Sequence, residues 1–412
     1  MQTLITNDAI VFGLLIGIIA FTFYTSSIQS SFWQKFYQII PSILVCYFVP
    51  GLLNSFHIIS GEESKLYAVA SKFLLPACLV YFTISIDFQA LKKLGPKALI
   101  VFLAGSLGVM VGGPVSLWVV KTIWPEVLAG EVWRGLATIA GSWIGGSANQ
   151  TALKEVFQPS PEVFSQAIAV DVITAELWLA VLLFGVARSA KLDKWLGADT
   201  SAVEEVKQKM EAEAAHQQSS LSVKDLMLVL FVGFGTTALA HACADIIVPF
   251  IETHYPDLKK FSLTSSSFWV ISLVTLFGLA LSQTKARQIE RMGASQFGSL
   301  FLYILIATIG MQMNVISALD KPQLFLIGLV WMSFHAGFTL LAAYLVKAPF
   351  FFTAVGSQAN VGGAASASVV AAAFHPSLAS VGVLLAILGY ALGTYCGYLT
   401  GLMMQWVNNL AI

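Results

Sequence analysis

Long stretches without a single charge fix the class of fold open to this chain. No Asp, Glu, Lys or Arg occurs between Ala98 and Val120, nor between Phe301 and Leu319. At 1.5 Å per residue, about 20 apolar residues cross the hydrocarbon core of a bilayer. Runs of this kind recur along nearly the whole 412-residue chain. Charged residues make up only 11% of it, against about 25% in a soluble domain. The expected fold is therefore all-α and polytopic, with the lipid bilayer as its solvent. Lys plus Arg equals Asp plus Glu, 22 each, and no basic face is visible, so nucleic acid is not an expected partner. Cys46, Cys78, Cys243 and Cys396 sit inside apolar segments without metal-type spacing and read as small hydrophobes. The first 34 residues hold no Lys or Arg, so the opening apolar run reads as a retained helix and not a signal peptide.

Apolar runs fall at about 9–25, 38–55, 69–88, 98–121, a polar-broken stretch at 133–157, and 164–188. A polar segment follows, carrying Glu204, Glu205, Lys207, Lys209, Glu211 and Glu213. The runs then resume at about 226–250, 266–282, 297–319, 323–346, a second broken stretch at 350–374, and 377–404. The order of elements is the same on either side of the polar segment, which divides the chain into a first repeat (1–189), a cytoplasmic linker (190–225) and a second repeat (226–412). Residues support the duplication: Gly145-Gly146 recurs as Gly362-Gly363, and Phe157-Gln158-Pro159 as Phe374-His375-Pro376, both 217 positions later. Thr83-Ile84-Ser85 parallels Thr308-Ile309-Gly310 at an offset of 225. Paired halves with Gly-interrupted segments at matching positions point to a secondary-transporter binding site.

The broken stretches carry the chemistry. The first places Gly145, Gly146, Ser147 and Asn149 in an Ala137–Thr151 context, and the second places Ser357, Gln358, Asn360, Gly362 and Gly363 between Gly356 and Ser368. Polar side chains and freed backbone groups are costly in hydrocarbon unless protein, water or ligand satisfies them. What such a break offers is exposed helix termini that can hold ions and anions. Close helix packing by small residues is the competing account. Each stretch could cross once as an interrupted helix or fold back as a re-entrant hairpin. Crossings would make the halves parallel and hairpins would make them inverted. Lys and Arg divide 14 to 8 across the membrane either way, so the positive-inside rule does not choose.

Asp171 and Glu176 lie within the apolar run after the first break, with Thr174 between them. A buried acid costs about 2.5–3.5 kcal/mol at a helix centre, so both are expected to face protein and to be functional-site candidates. Five positions set the two acids about 140° apart on a helix, whereas Asp171 and Thr174 share a face. Asp87 reads equally well as an interfacial residue. His241 and Asp245, four apart, suggest a structural hydrogen bond, and His335 suggests a satisfied buried histidine. Trp124, Trp133 and Trp406 fit an interfacial belt. No nucleophile–base, metal or phosphate-loop signature is present, so the chain is not read as an enzyme and no cofactor is expected.

The stretch Gly141-Ser-Trp-Ile-Gly-Gly-Ser-Ala-Asn149 resembles the signature of the YjcL-like family of bacterial and plastid membrane proteins, over essentially the whole chain. The wider layout is similar to the sodium:glutamate symporters of the bile-acid symporter and cation–proton antiporter superfamily. Ile40-Pro41 and the turns at Thr83 and Thr308 resemble theirs, while Ser147-Ala148-Asn149 stands where those symporters carry a His-containing motif. The resemblance implies inverted repeats, re-entrant Gly-Gly segments, a mobile core on a dimerising scaffold (an elevator), and a multi-pass position in the bacterial inner membrane. It also implies Na⁺ or H⁺ coupling, with Asp171, Thr174, Glu176, Thr83 and Thr308 as coupling candidates and a transported Na⁺ as the one metal. The function expected is ion-coupled transport of a small organic solute, an amino acid, oxo-acid or short peptide. The alternative is a passive channel. Broken-helix N-termini would hold an anionic group, but no Arg lies within Ala137–Thr151 or Gly356–Ser368 to clamp a carboxylate, so a hydrophobic or zwitterionic solute stays open.

Overall fold

The computed structural model describes residues 3–128, 130–199, 203, 222–313 and 321–410. In chain order the helices of the first half are α1 (Asp8–Ser27), α2 (Ser31–Ile39), α3 (Ser42–Ser55), α4 (Leu66–Ile84, with a π-helical turn at Ala70–Leu74), α5 (Phe88–Lys93), α6 (Pro96–Ile123), α7 (Val132–Gly145), α8 (Ser147–Phe157), α9 (Pro161–Val186) and α10 (Ser189–Leu196). Then come α11 (Val223–His254), α12 (Ser266–Ser282), α13 (Ala294–Gly310), α14 (Gln323–Val346), α15 (Phe350–Val361), α16 (Gly363–Phe374) and α17 (Ala379–Asn409). Seven helices among the described residues are long and apolar enough to cross a bilayer, or nine if two bent pairs count as one span each. The expected apolar runs all fall on helices. The exceptions in detail are the run at 297–319, where α13 ends at Gly310 and residues 314–320 lie outside the described residues, and the linker, whose Glu204 to Glu213 charges lie outside them as well.

Local chemistry sets the helix starts. Ser222 and Asp225 form a reciprocal capping box at α11, the Asn7 side chain accepts from Ala9 N at α1, and Pro161 behind the Ser160 cap opens α9. The helices pack as two groups. The first comprises α6, α7, α8, α9 and α14–α17. The second comprises α1, α3, α4 and α11–α13. Within the first, glycines let backbones approach: Gly108 and Gly112 of α6 lie against α14, and Gly389, Gly393 and Gly397 of α17 lie against α7 and α8. In a membrane, where lipid is as apolar as Leu, such van der Waals contact drives association. A few side chains bridge the groups: Phe82 stacks on Tyr390 with centroids 4.3 Å apart, Tyr395 Oη donates to the Ser272 carbonyl at 2.7 Å, and Lys154 Nζ donates to Tyr67 Oη at 2.6 Å.

Both broken stretches fold back as helical hairpins. A straight helix from 133 to 157 would separate its ends by about 36 Å. Instead the Trp133 and Phe157 rings are 5.7 Å apart, Arg134 Nη1 donates to the Phe157 carbonyl at 2.6 Å, and Gly141 lies against Asn149 and Leu153. In the second stretch Phe351 meets Phe374 at 5.2 Å. The hairpins enter from opposite ends of α9. The first closes at Phe157, just before α9 begins, while Phe350 at the mouth of the second packs on Gly185, near the α9 C-terminus. The Asp193 carboxylate, in α10, accepts from Phe350 N at 2.7 Å and fixes that mouth.

Candidate functional site

Two helix ends meet at each hairpin tip. α7 stops at Gly145 because Gly146, at φ +77°, takes a backbone conformation that a side chain disfavours. Gly363 does the same at φ +68° between α15 and α16. The tips come together: a Cβ added to Gly146 would sit 3.7 Å from Gly363 Cα and 3.4 Å from Tyr390. Gly145 is glycine for a different reason, since a side chain there would fall on the Gly389 carbonyl.

A cavity of about 350 Å³ opens beside the tips, at the boundary between the two helix groups. Gly146, Ser147 and Gln150 reach it from the first hairpin, and Gln358, Gly362, Gly363 and Ser366 from the second. α9 contributes Asp171 and Glu176, and Tyr47, Phe82, Tyr303 and Tyr390 form aromatic walls. Among the described residues, no Lys, Arg or His lines it. Asp171 is held in place, with Oδ1 accepting from Trp143 Nε1 at 2.6 Å. Glu176 is half-buried and has no hydrogen-bond or ion-pair partner among the described residues. Four further lining atoms are buried without a hydrogen bond among the described residues: Gln150 Nε2, Gln358 Oε1, Tyr47 Oη and Ser366 Oγ. Buried polar atoms are normally paired, so this wall is left open for a ligand or water. Each tip presents the carbonyl end of one helix and the amide end of the next, so their opposed half-charges largely cancel. The charge of the cavity is set by its two carboxylates.

The family model for the proteins of unknown function called DUF819 matches residues 13–407. The chain belongs to this family. It is also similar to the uncharacterized membrane protein YjcL of Bacillus subtilis (strain 168), being 21% identical over 357 residues that cover 84% of this chain and 85% of that one. This DUF819 member is accordingly a membrane protein with multiple apolar helices.

Of the residues singled out from the sequence of this DUF819 chain, the structure brings Gly146, Ser147, Gln358, Gly362, Gly363, Asp171 and Glu176 to one cavity. The two acids reach it together despite their angular separation on α9. Others do different work. Asn149 and Asn360, expected to contact solute, are fully buried in helix contacts away from the cavity. Asn149 Nδ2 donates to the Gly145 carbonyl at 2.7 Å and its Oδ1 accepts from Thr394 Oγ1 at 2.6 Å. Asn360 repeats the device, with Nδ2 donating to the Phe102 carbonyl at 2.9 Å and Oδ1 accepting from Ser106 Oγ at 2.7 Å. Each pins a hairpin to a long helix. Ser357 likewise joins three helices, accepting from Trp178 Nε1 at 2.8 Å and pairing with His335 Nε2 at 2.7 Å. His335 Nδ1 donates to the Gly105 carbonyl at 2.9 Å, so this histidine is the satisfied buried one expected.

The remaining coupling candidates are separated from the cavity. Thr174 shares the face of Asp171 but packs on Gly328 of α14 and does not line the cavity. Thr83 returns its hydroxyl to the Leu79 carbonyl at 2.7 Å beside Gly278, and Thr308 bonds to the Leu305 carbonyl at 2.7 Å. Both belong to the second helix group. Trp133, assigned to the interfacial belt, is buried at the mouth of the first hairpin. His241 bonds to the Lys72 carbonyl at 3.3 Å instead of Asp245. With Asp245, Lys72 and Glu155 it lines a separate cavity of about 300 Å³. Sequence reasoning missed Gln150, Tyr47 and Tyr390. Gln150 had a signal, being a polar residue inside the first break. The tyrosines had none, because they stand in ordinary apolar runs.

Proposed function

We propose that this protein is an ion-coupled secondary transporter of a small organic solute, working by an elevator motion. One observation carries the reading: two opposed hairpins meet tip to tip beside a carboxylate-bearing cavity at the boundary between two helix groups. A re-entrant hairpin in a membrane protein is tolerated where its backbone lines a cavity, and paired ones at corresponding places in two halves fit inverted repeats around a central site. In this reading the group holding both hairpins slides against the other, carrying the cavity from one membrane face to the opposite one. Each hairpin then gates one exit. The bridging contacts of Phe82, Tyr395 and Lys154 are the ones that break and re-form.

Asp171 is the coupling residue in this scheme, binding Na⁺ or a proton, and the Trp143 bond fixes its direction toward the cavity. The second helix group is the scaffold, through which two copies pair as a homodimer in the bacterial inner membrane. A kinship with the sodium:glutamate symporters belongs to the same reading. The test is uptake into proteoliposomes, surveying amino acids, oxo-acids and dipeptides under imposed Na⁺ and pH gradients. Accumulation above equilibrium that is lost in Asp171→Asn is the expected result. Gradient-insensitive equilibration would indicate a passive pore and remove the proposal.

A further inference from the structure

Among the described residues the cavity contains two carboxylates and no cationic side chain, and four aromatic rings line it. From this we infer that the solute is recognised by a positively charged amino group, with Glu176 as its counter-ion and Gln358 Oε1 as a second acceptor. This rests on the reading of the cavity as the solute site and narrows it.

The steps are electrostatic and geometric. Asp171 has Oδ1 committed to Trp143, whereas Glu176 lacks any partner among the described residues. An unpaired carboxylate in a half-buried site is costly unless a cation meets it. Gln358 is 2% exposed, and its Oε1 has no donor. A carbonyl oxygen can only accept, so the missing partner is an N–H or O–H. An ammonium group in the cavity that both residues line offers a charge to Glu176 and a donor to Gln358. Tyr390 and Phe82, stacked at 4.3 Å, together with Tyr47 and Tyr303, offer ring faces of the kind that attract cations. With Asp171 taken by the coupling ion, a solute carrying only a carboxylate still meets the Glu176 charge and, among the described residues, no Arg or Lys. Oxo-acids are therefore rejected, while amines and zwitterionic amino acids are accepted. Tyr47 Oη and Ser366 Oγ, without a partner among the described residues, are donors for the carboxylate of a zwitterion. This revises the expectation that the broken-helix termini select an anion.

Three probes that share a branched carbon skeleton separate the groups: L-leucine carries both, 3-methylbutylamine only the amine, and 4-methyl-2-oxopentanoate only the acid. Binding is measured by titration calorimetry on the purified full chain. The expected outcome is binding of L-leucine and 3-methylbutylamine and none of the oxo-acid. Glu176→Gln should weaken the amine about tenfold or more, the usual weight of a charge-assisted hydrogen bond. Gln358→Met, similar in shape but without the acceptor, should weaken it less, and ligand-free melting of both variants should match the parent protein. Binding of the oxo-acid in preference to the amine overturns the inference, as does amine binding that is indifferent to both variants, or absence of amine binding. Amines that bind yet are never taken up into proteoliposomes would remove the transport reading and leave this one. Uptake of the oxo-acid alone would do the reverse.

Discussion

Asn149→Ala is the substitution most informative about how the first hairpin is held. The side chain makes two buried bonds, donating to the Gly145 carbonyl and accepting from Thr394 Oγ1. Truncation leaves both groups without that partner, and each unpaired buried group costs about 1–3 kcal/mol. The Thr394 hydroxyl can turn back to a carbonyl of its own helix, which leaves the Gly145 carbonyl unpaired and an expected loss of about 1–3 kcal/mol. Thr394→Val removes only one of the two bonds. The double mutant should therefore be more stable than the summed single losses imply, with a coupling of about 1 kcal/mol. The assay is SDS titration from mixed micelles followed by tryptophan fluorescence. Because Asn149 does not line the cavity, affinity for 3-methylbutylamine should be unchanged wherever the variant is folded. Parent-like stability, or stability losses that simply add, would refute the pinning role. Lost affinity without lost stability would return Asn149 to the solute site.

Other outcomes follow from the same geometry. Gly145→Ala drives a Cβ onto the Gly389 backbone and should cost about 3 kcal/mol or more, while Gly146→Ala has room and pays only the strain of an extended positive-φ backbone, about 1–3 kcal/mol; a larger loss for Gly146→Ala than for Gly145→Ala in chemical denaturation would contradict this ordering. Tyr395→Phe deletes one bridge between the helix groups and should raise the maximal uptake rate while leaving KM unchanged; a slower rate would argue against relative motion. Asp87, beyond the end of α4, is raised by partial burial, but the Ala90 amide and the Arg287 guanidinium outweigh this and hold its carboxyl below the usual range. A depressed carboxylate stabilises the fold above its unfolded value of about 3.9. Asp87→Asn should thus lower the melting temperature at pH 7, with the difference vanishing as the pH falls well below about 4; a pH-independent difference would refute the ion-pair account.

Charge-free runs made the helices legible, because hydrocarbon admits few alternatives. The hairpins were only half legible. A Gly-Gly break marks where a helix stops, but whether the chain turns back depends on long-range contacts such as Arg134 with Phe157. The site followed the same division. Glycines at the tips and carboxylates in an apolar run announce themselves, so Gly146, Gly363, Asp171 and Glu176 were found. Asn149 and Asn360 look equally functional in sequence, since a polar residue in a membrane helix needs a partner of some kind. Sequence does not say whether that partner is a solute or another helix. Here it is Thr394 and Ser106. Thr83 and Thr308 misled in a simpler way, each satisfied by its own helix.

Two-sided access to the cavity tests the central claim most directly. Ala365 lines the cavity and is exposed, so Ala365→Cys, in a chain with Cys46, Cys78, Cys243 and Cys396 replaced, gives a single reporter thiol. In oriented vesicles, a membrane-impermeant thiol reagent applied to either face in turn should label it from both. Labelling from one face alone, under every ion gradient imposed, would show a static pocket and contradict the carrier account.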